Sequence, residues 1–401
     1  MRARGASATV AIAAAAMVFT LPGRTQGLGL ITEPLLADLG ISRVSYAALN
    51  FWATVIGAAG AVGVGRLIDR YGSRPVLAAV AIALGGVVSG MSQATTFAML
   101  AVLVTLTRAI GQSALSVVSM AIVGRRFVTG IEAAMAAYSI LLSVGFMIAF
   151  PLVGAIVQAS GWRVAWLAIG LALVAVLAPA SAILPGRQAE VAAAAPASGG
   201  DLTGYVWTAA LRTAAFWVFA IGASLYGLIA SGIGLFNESI LAERGFGADV
   251  YYRTLAVTAI TALAGNFLGG WLAPRVALTR IMAAALVILA GGVAVLPVLS
   301  SIAQVMAWAA VMGVGGGMVT VLFFSAWPRV FGRRHLGRIQ GVAQALTVLA
   351  SALGPLLLAH GVAATGSYAA MFWLLAVAIG VTAAAAALVR VPPPLPGGLA
   401  P

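Results

Sequence analysis

Two arginines define the chemistry open to this chain. Arg24 sits in the segment Leu21-Pro22-Gly23-Arg24-Thr25-Gln26-Gly27, and Arg108 opens Arg108-Ala109-Ile110-Gly111-Gln112. Both fall inside long apolar runs. A guanidinium stays charged and presents a planar fork of donors that matches a carboxylate or a phosphate. No Asp or Glu lies at the depth of either arginine: Glu33 and Glu238 fall near one end of their runs, and Glu132 near an end of its own. Glu33 is nine residues from Arg24, about 13 Å along a helix and too far for a direct pair. An unpaired Arg at mid-bilayer costs about 2.5–3.5 kcal/mol on insertion scales. A buried positive centre without its own carboxylate therefore suits an incoming anion. The structural alternative is that both arginines bond to carbonyls and polar side chains and pin kinked helices. Gln26, Gln112, Asn266 and Gln344 are the amides expected to line a binding site with Arg24 and Arg108, although amides also tie helices together.

The elements that hold these residues are membrane helices. Hydrophobic residues make up 62% of the 401 and charged residues 8%, about a third of the soluble norm. Lipid must be the solvent. At about 20 residues per span the length fits roughly twelve helices. They are expected near 8–36, 46–66, 75–92, 96–124, 131–158 and 164–184, then 213–240, 250–273, 281–299, 304–328, 338–360 and 368–388. Pro22, Gly23 and Gly27 are expected to break the first of these close to its centre, and interrupted helices at mid-membrane expose backbone groups that bind ligands. The expected organisation is a six-helix bundle over 1–184, a linker over 185–212, a second six-helix bundle over 213–390 and a disordered Pro-rich tail over 391–401.

The chain carries its own duplicate. Residues 27–40 read GLGLITEPLLADLG, and 205 positions later residues 232–245 read GIGLFNESILAERG, with half of the fourteen positions identical. The same offset lays Gly65 on Gly270 and Arg70 on Arg275, and an offset of 204 pairs Phe127 with Phe331 and Pro151 with Pro355. Two structurally equivalent halves follow. In so apolar a chain they imply the parallel repeats of a secondary transporter, with the ligand site between them.

The net charge of +13 would point to nucleic acid only if the basic residues gathered on one face. Instead they punctuate apolar runs, so nucleic acid is excluded and orientation in the lipid bilayer explains them. With both termini cytoplasmic, sixteen arginines fall inside, and four (Arg43, Arg163, Arg244 and Arg253) fall outside. Every basic residue is Arg, and Cys is absent, which removes Lys chemistry, thiolates, disulfides and Cys-ligated metals. The N-terminal Met1-Arg2-Ala3-Arg4 and its Ala-rich sequel resemble a secretory signal, but the apolar stretch runs on past the length of an h-region. No cofactor is expected: the Gly-rich GVGGG at 313–317 lacks the following Gly-Lys-Ser/Thr and a preceding strand, so close helix packing is the better reading. No nucleophile–base pair or metal cluster supports an enzyme.

The turn Gly65-Arg66-Leu67-Ile68-Asp69-Arg70-Tyr71-Gly72-Ser73-Arg74-Pro75 resembles the signature between the second and third helices of the major facilitator superfamily. The resemblance extends over the whole chain. It implies an all-α membrane fold of twelve helices in two bundles, with helices one, four, seven and ten lining a central cavity. It also implies a latch in which Asp69, supported by Gly65, Arg70 and Gly72, pairs with Arg125 or Arg126. Pro274 replaces the acid in the second half. Arg108 followed three residues later by Gly111 resembles the family's fourth-helix motif, and GFMIAFPLVG at 145–154 resembles a Gly-Pro signature of exporter branches, with Phe150 where Gly precedes Pro. The Gly-rich first helix, Phe216-Trp217 and Ser231-Gly232 resemble the monocarboxylate transporter and oxalate/formate exchanger branch. That branch carries an Arg in the middle of its eighth helix, where this chain has Asn266.

The expected function is secondary transport of a small organic anion such as a monocarboxylate across a bacterial inner membrane. Arg24 and Arg108 anchor the substrate, and symport and exchange are both compatible. Glu33 and Glu238, related by the repeat, are candidates for an outer gate or for carrying H+ as coupling ion, although capping of the outer helix ends is the favoured reading, since acids near span ends cost less than central ones. The alternatives are proton-driven drug efflux, which lacks a central acid, and a non-transporting membrane sensor or scaffold. His360, at the end of the eleventh span, is a further candidate proton sensor.

Overall fold

The structure, a computed structural model, describes residues 2–58, 64, 67–68, 70–127, 131–186, 204–332 and 336–391. Gly65 and Asp69 of the expected latch, residues 187–203 of the connection between the halves, His335 and the tail from 392 lie outside the described residues.

Among the described residues, ten helices are long and apolar enough to cross a membrane: Ser73–Met91, Phe97–Arg126, Ala137–Ser160, Trp162–Ile183, Ala214–Glu243, Ala248–Leu272, Leu278–Val298, Ile302–Phe331, Arg338–Thr365 and Ala369–Leu388. In hydrocarbon every backbone N–H and C=O must find its partner within the segment, so apolar runs of this length become helices whatever their individual propensities. Two further segments complete the expected twelve. The second span is helical over Arg43–Ala58. The first is divided into Arg2–Val18, a tight turn of 3-10 helix at Leu21–Gly23, a short helix at Thr25–Gly29 and a last piece at Thr32–Leu39. The division falls at the Pro-Gly segment: Pro22 has no N–H to donate, and Arg24 takes extended backbone angles between the two pieces it joins.

The chain separates into two compact units, one formed by Met1–Ala197 with Gly234–Ser239 and the other by Ser198–Ile233 with Ile240–Pro401. The first unit holds spans one to six. Its fourth span is α-helical from Phe97, turns to the wider π geometry over Arg108–Leu115 and resumes as α-helix to Arg126. Its fifth span continues through Pro151 without interruption. In the second unit the tenth span runs as one α-helix over Ile302–Phe331, and the eleventh continues through Pro355.

Local signals repeat with the sequence offset of 205. Thr96 caps the fourth span by accepting from the Met99 N–H at 3.2 Å, and Ser301 caps the tenth by accepting from Gln304 at 3.3 Å. Gly40 and Gly245 follow the first and seventh spans with φ of 63° and 82°, backbone angles that other residues rarely adopt. At the same end each unit is tied by an acid. In the first, Asp38 accepts from Trp162 Nε1 and Arg163 Nε, both at 3.0 Å, while Arg163 Nη1 reaches the Ser92 carbonyl at 2.8 Å. In the second, Glu243 accepts from the Ser367 hydroxyl and, at 3.1 Å, the Tyr368 N–H, while Arg244 Nε reaches the Leu299 carbonyl at 3.3 Å. Each knot joins the end of one span to the turns after its third and before its sixth.

Candidate functional site

The polar centre of the first unit is built around the break in the first span. Arg108 is 2% exposed and is one of the largest fully enclosed side chains in the molecule. Its Nη1 donates to Gln112 Oε1 at 2.8 Å, Thr25 Oγ1 at 2.9 Å and the Gly23 carbonyl at 3.2 Å. Its Nη2 donates to Asn50 Oδ1 at 2.9 Å, and Nε has no hydrogen-bond partner among the described residues. Three spans thus converge on one guanidinium. The first supplies a carbonyl freed by its break, the second an amide, and the fourth the arginine and its helical neighbour. Every acceptor is neutral.

The backbone makes room for this side chain. A Cβ on Gly57 of the second span would stand 2.7 Å from Arg108 Cβ, so the glycine is what allows the arginine to pass between the spans. Gly23 and Gly111 likewise meet backbone to backbone: a Cβ on Gly23 would lie 2.6 Å from the Gln112 nitrogen. The π segment opens at Arg108, and such a bulge re-aims the side chains of its turn while keeping the helix continuous.

Arg24 has looser company. It is half-buried and caps the short helix after the break. Its Nε donates to Thr20 Oγ1 at 2.6 Å, and Nη2 to the Met17 thioether at 2.9 Å. The guanidinium also lies over the Phe146 ring of the fifth span, 5.4 Å from its centroid. Phe146 in turn stacks on Phe150, with centroids 5.3 Å apart and 17° between planes. Tyr138, one helical stretch earlier, bonds to Ser119, which donates to the Ala13 carbonyl at 2.7 Å. No carboxylate among the described residues bonds to either arginine. A groove of ≈ 690 Å³ between the second and fourth spans, bordered by Trp52, Ile56, Phe97 and Val102, is almost wholly apolar and holds neither arginine.

Of the other expected site residues, Gln112 joins Arg108 directly, and Gln26 is half-buried on the short helix after the break. Asn266 and Gln344 belong to the second unit. Asn266 Oδ1 is enclosed without a hydrogen-bond partner among the described residues, and Gln344 is exposed. Glu33 is held by Arg43 through Nη2–Oε2 at 2.5 Å and Nε–Oε1 at 3.2 Å. Glu238 differs: its Oε2 is enclosed with no hydrogen-bond partner among the described residues. Of the latch residues that are described, Gly72 has φ 86° and precedes the third span, Arg70 stacks on Tyr71 at 5.3 Å, and Arg125 and Arg126 end the fourth span. His360 hydrogen-bonds through Nδ1 to the Leu356 carbonyl at 2.9 Å in the eleventh span.

Sequence reasoning passed over Asn50, Thr20, Thr25 and Phe146. Asn50 left a trace, because Tyr46, Asn50 and Thr54 form a polar row at four-residue spacing on an otherwise apolar helix. Thr20 and Thr25 are ordinary helix-break residues, and Phe146 is one of 15 phenylalanines; nothing local marks them.

The family model described as Major Facilitator Superfamily matches residues 8–252 and 243–401. Solved structures with the same fold include those of a bacterial homologue of the human lysosomal transporter Spinster, in an inward-facing and occupied and in an inward-facing and unoccupied conformation. The first is 15% identical with a TM-score of 0.68, covering 94% of both chains. The second is 15% identical with a TM-score of 0.70, covering 96% of this chain and 95% of that one. No curated protein matches the sequence.

Proposed function

The chain belongs to the Major Facilitator Superfamily, and from that premise we propose that it carries a small organic anion, with Arg24 and Arg108 as the positive centre that attracts it. It is a multi-pass membrane protein and a secondary transporter working by alternating access, not an enzyme. The proposed setting is a bacterial inner membrane with both termini in the cytoplasm, which reporter fusions to the two ends would test.

One observation carries the anion reading. Two guanidiniums are held by hydroxyl, amide, carbonyl and thioether groups, without a bonded carboxylate among the described residues. Neutral acceptors orient the charge and leave it uncompensated in a medium of low dielectric constant. An anionic cargo gains from that charge, and a cationic one is repelled. Uptake into liposomes containing the purified protein is the test. Arg24→Gln is expected to weaken organic-anion binding about 30-fold or more, the worth of a charge-assisted pair. Unchanged affinity would remove the arginine from the site.

For proton coupling, Glu238 fits better than Glu33. Glu33 already has Arg43, whereas Glu238 has an enclosed oxygen with no donor. In the proposed role Glu238→Gln keeps substrate counterflow, which needs no net proton movement, and loses uptake driven by a proton gradient. Proton-driven uptake at the wild-type rate in that variant would exclude the assignment.

A further inference from the structure

The two arginines do not offer a ligand the same surface. Arg108 is enclosed: Nη1 is shared among Gly23, Thr25 and Gln112, Nη2 donates to Asn50, and Nε, which bonds to none of the described residues, is buried. With 2% of its surface exposed it offers no accessible edge to an oxygen from outside. Arg24 keeps an open edge. Its Nε is spent on Thr20 and Nη2 touches only a thioether, a weak acceptor, while Nη1 bonds to none of the described residues. The Nη1–Nη2 edge is the one a carboxylate meets with two parallel hydrogen bonds.

The Arg24 guanidinium also lies over the Phe146 ring, and Phe150 stacks on Phe146 nearly parallel to it. A ligand gripped at the Arg24 edge therefore meets an aromatic wall beside its anchor. One open cationic edge matches one negative charge. A second carboxylate, or the further oxygens of a phosphate dianion, would need a second charged donor to offset its desolvation, and the single open edge of Arg24 does not supply one.

We propose that the cargo is a monocarboxylate with a flat apolar body, its carboxylate on the Nη edge of Arg24 and its body along Phe146. Arg108 makes no direct contact with it. This rests on the anion-transport reading above and narrows it.

The test uses the full chain, purified and reconstituted, with benzoate, acetate, succinate, inorganic phosphate and neutral benzamide as probes. Thermal shift reads binding, and inhibition of counterflow reads occupancy of the transport site. Benzoate is expected to bind about 10-fold tighter than acetate, in line with one aromatic stacking contact, and about 100-fold tighter than benzamide, which lacks the charge. Succinate and phosphate are expected to bind more weakly than benzoate. Phe146→Leu keeps an apolar side chain and removes the ring, and it is expected to reduce the benzoate-to-acetate ratio about 5-fold. Arg24→Lys keeps the charge without the two-toothed edge and should weaken benzoate about 10-fold, with a thermal midpoint near that of the parent.

Succinate or phosphate binding as tightly as benzoate would overturn the inference and leave anion transport standing. A ratio unmoved by Phe146→Leu, or benzoate binding no tighter than acetate, would do the same. If benzamide matches benzoate, or if no anion binds or is exchanged, the anion reading itself falls and takes this inference with it.

Discussion

The fourth and tenth spans occupy equivalent places in the two halves and solve the same contact in opposite ways. Arg108 stands 12 residues after the cap Thr96, and Gly313 stands 12 residues after the cap Ser301. Around Arg108 the small residue is on the neighbouring helix, Gly57, and the large polar side chain fills the space between. Around Gly313 the helices themselves come together: a Cβ there would run into Thr261 Oγ1 and the Thr258 carbonyl. Gly317 is equally closed by the Ala262 carbonyl, and Thr258 donates to the Ala309 carbonyl at 3.3 Å. The rest of the polar centre has no counterpart either. The offset of 205 places Leu255 at Asn50, Ala230 at Thr25 and Ile229 at Arg24. The seventh span, without the Pro22–Gly23 pair, runs unbroken over Ala214–Glu243.

The difference shows what a duplicated scaffold permits. Both halves keep the same caps, the same turn glycines and the same acid-centred knots, because these close the ends of spans in any bundle. Among the described residues, only the first half breaks a span near its middle and uses a carbonyl at the break to hold a charge. At the equivalent place the second uses Gly313 and Gly317 for close packing between its eighth and tenth spans. Function is thus expected to be asymmetric where architecture is symmetric.

Substitutions can break or sharpen this contrast. The largest effect is expected from Arg108→Leu. It removes four hydrogen bonds at about 0.6 kcal/mol each in a membrane interior, and it leaves Asn50, Gln112 and Thr25 to find new partners. Anion uptake should fall at least 100-fold, with a clear drop in the thermal midpoint. Wild-type uptake would mean the centre is decorative.

Next come the paired glycines. Gly313→Val forces a branched side chain into the backbone of the eighth span and should destabilise by about 1–3 kcal/mol as overpacking does, read as a lower thermal midpoint. Gly57→Ala presses on Arg108 itself, so affinity for the anion should fall more steeply than stability does. If the two variants shift affinity and stability in the same proportion, the halves are not specialised as described.

The smallest effect belongs to the knots at the span ends. Asp38→Asn keeps an acceptor but removes the negative charge opposite Arg163, and since the pair is partly exposed the loss should be about 0.5–1 kcal/mol. Glu243→Gln can still accept from Ser367 and Tyr368 and should cost less. A larger loss at Glu243 would show that the second unit depends more on its knot.

The linear chain alone determined that this is a membrane protein of about twelve spans in two related halves, that the first span breaks at Pro22–Gly23, and that two arginines lack nearby acids. Each of these depends on local or periodic properties: apolar run length against bilayer thickness, proline's missing donor, and self-similarity at a fixed offset. Tertiary structure alone decided what each guanidinium touches. Asn50 and the Gly23 carbonyl reach Arg108 from 58 and 85 residues away, and Phe146 comes to Arg24 from another span. In an apolar chain any polar group in range is a candidate partner, and only the packing of helices at glycine-sized distances selects which one arrives. The same packing closed one arginine and left the other with an open edge, although in sequence the two looked alike.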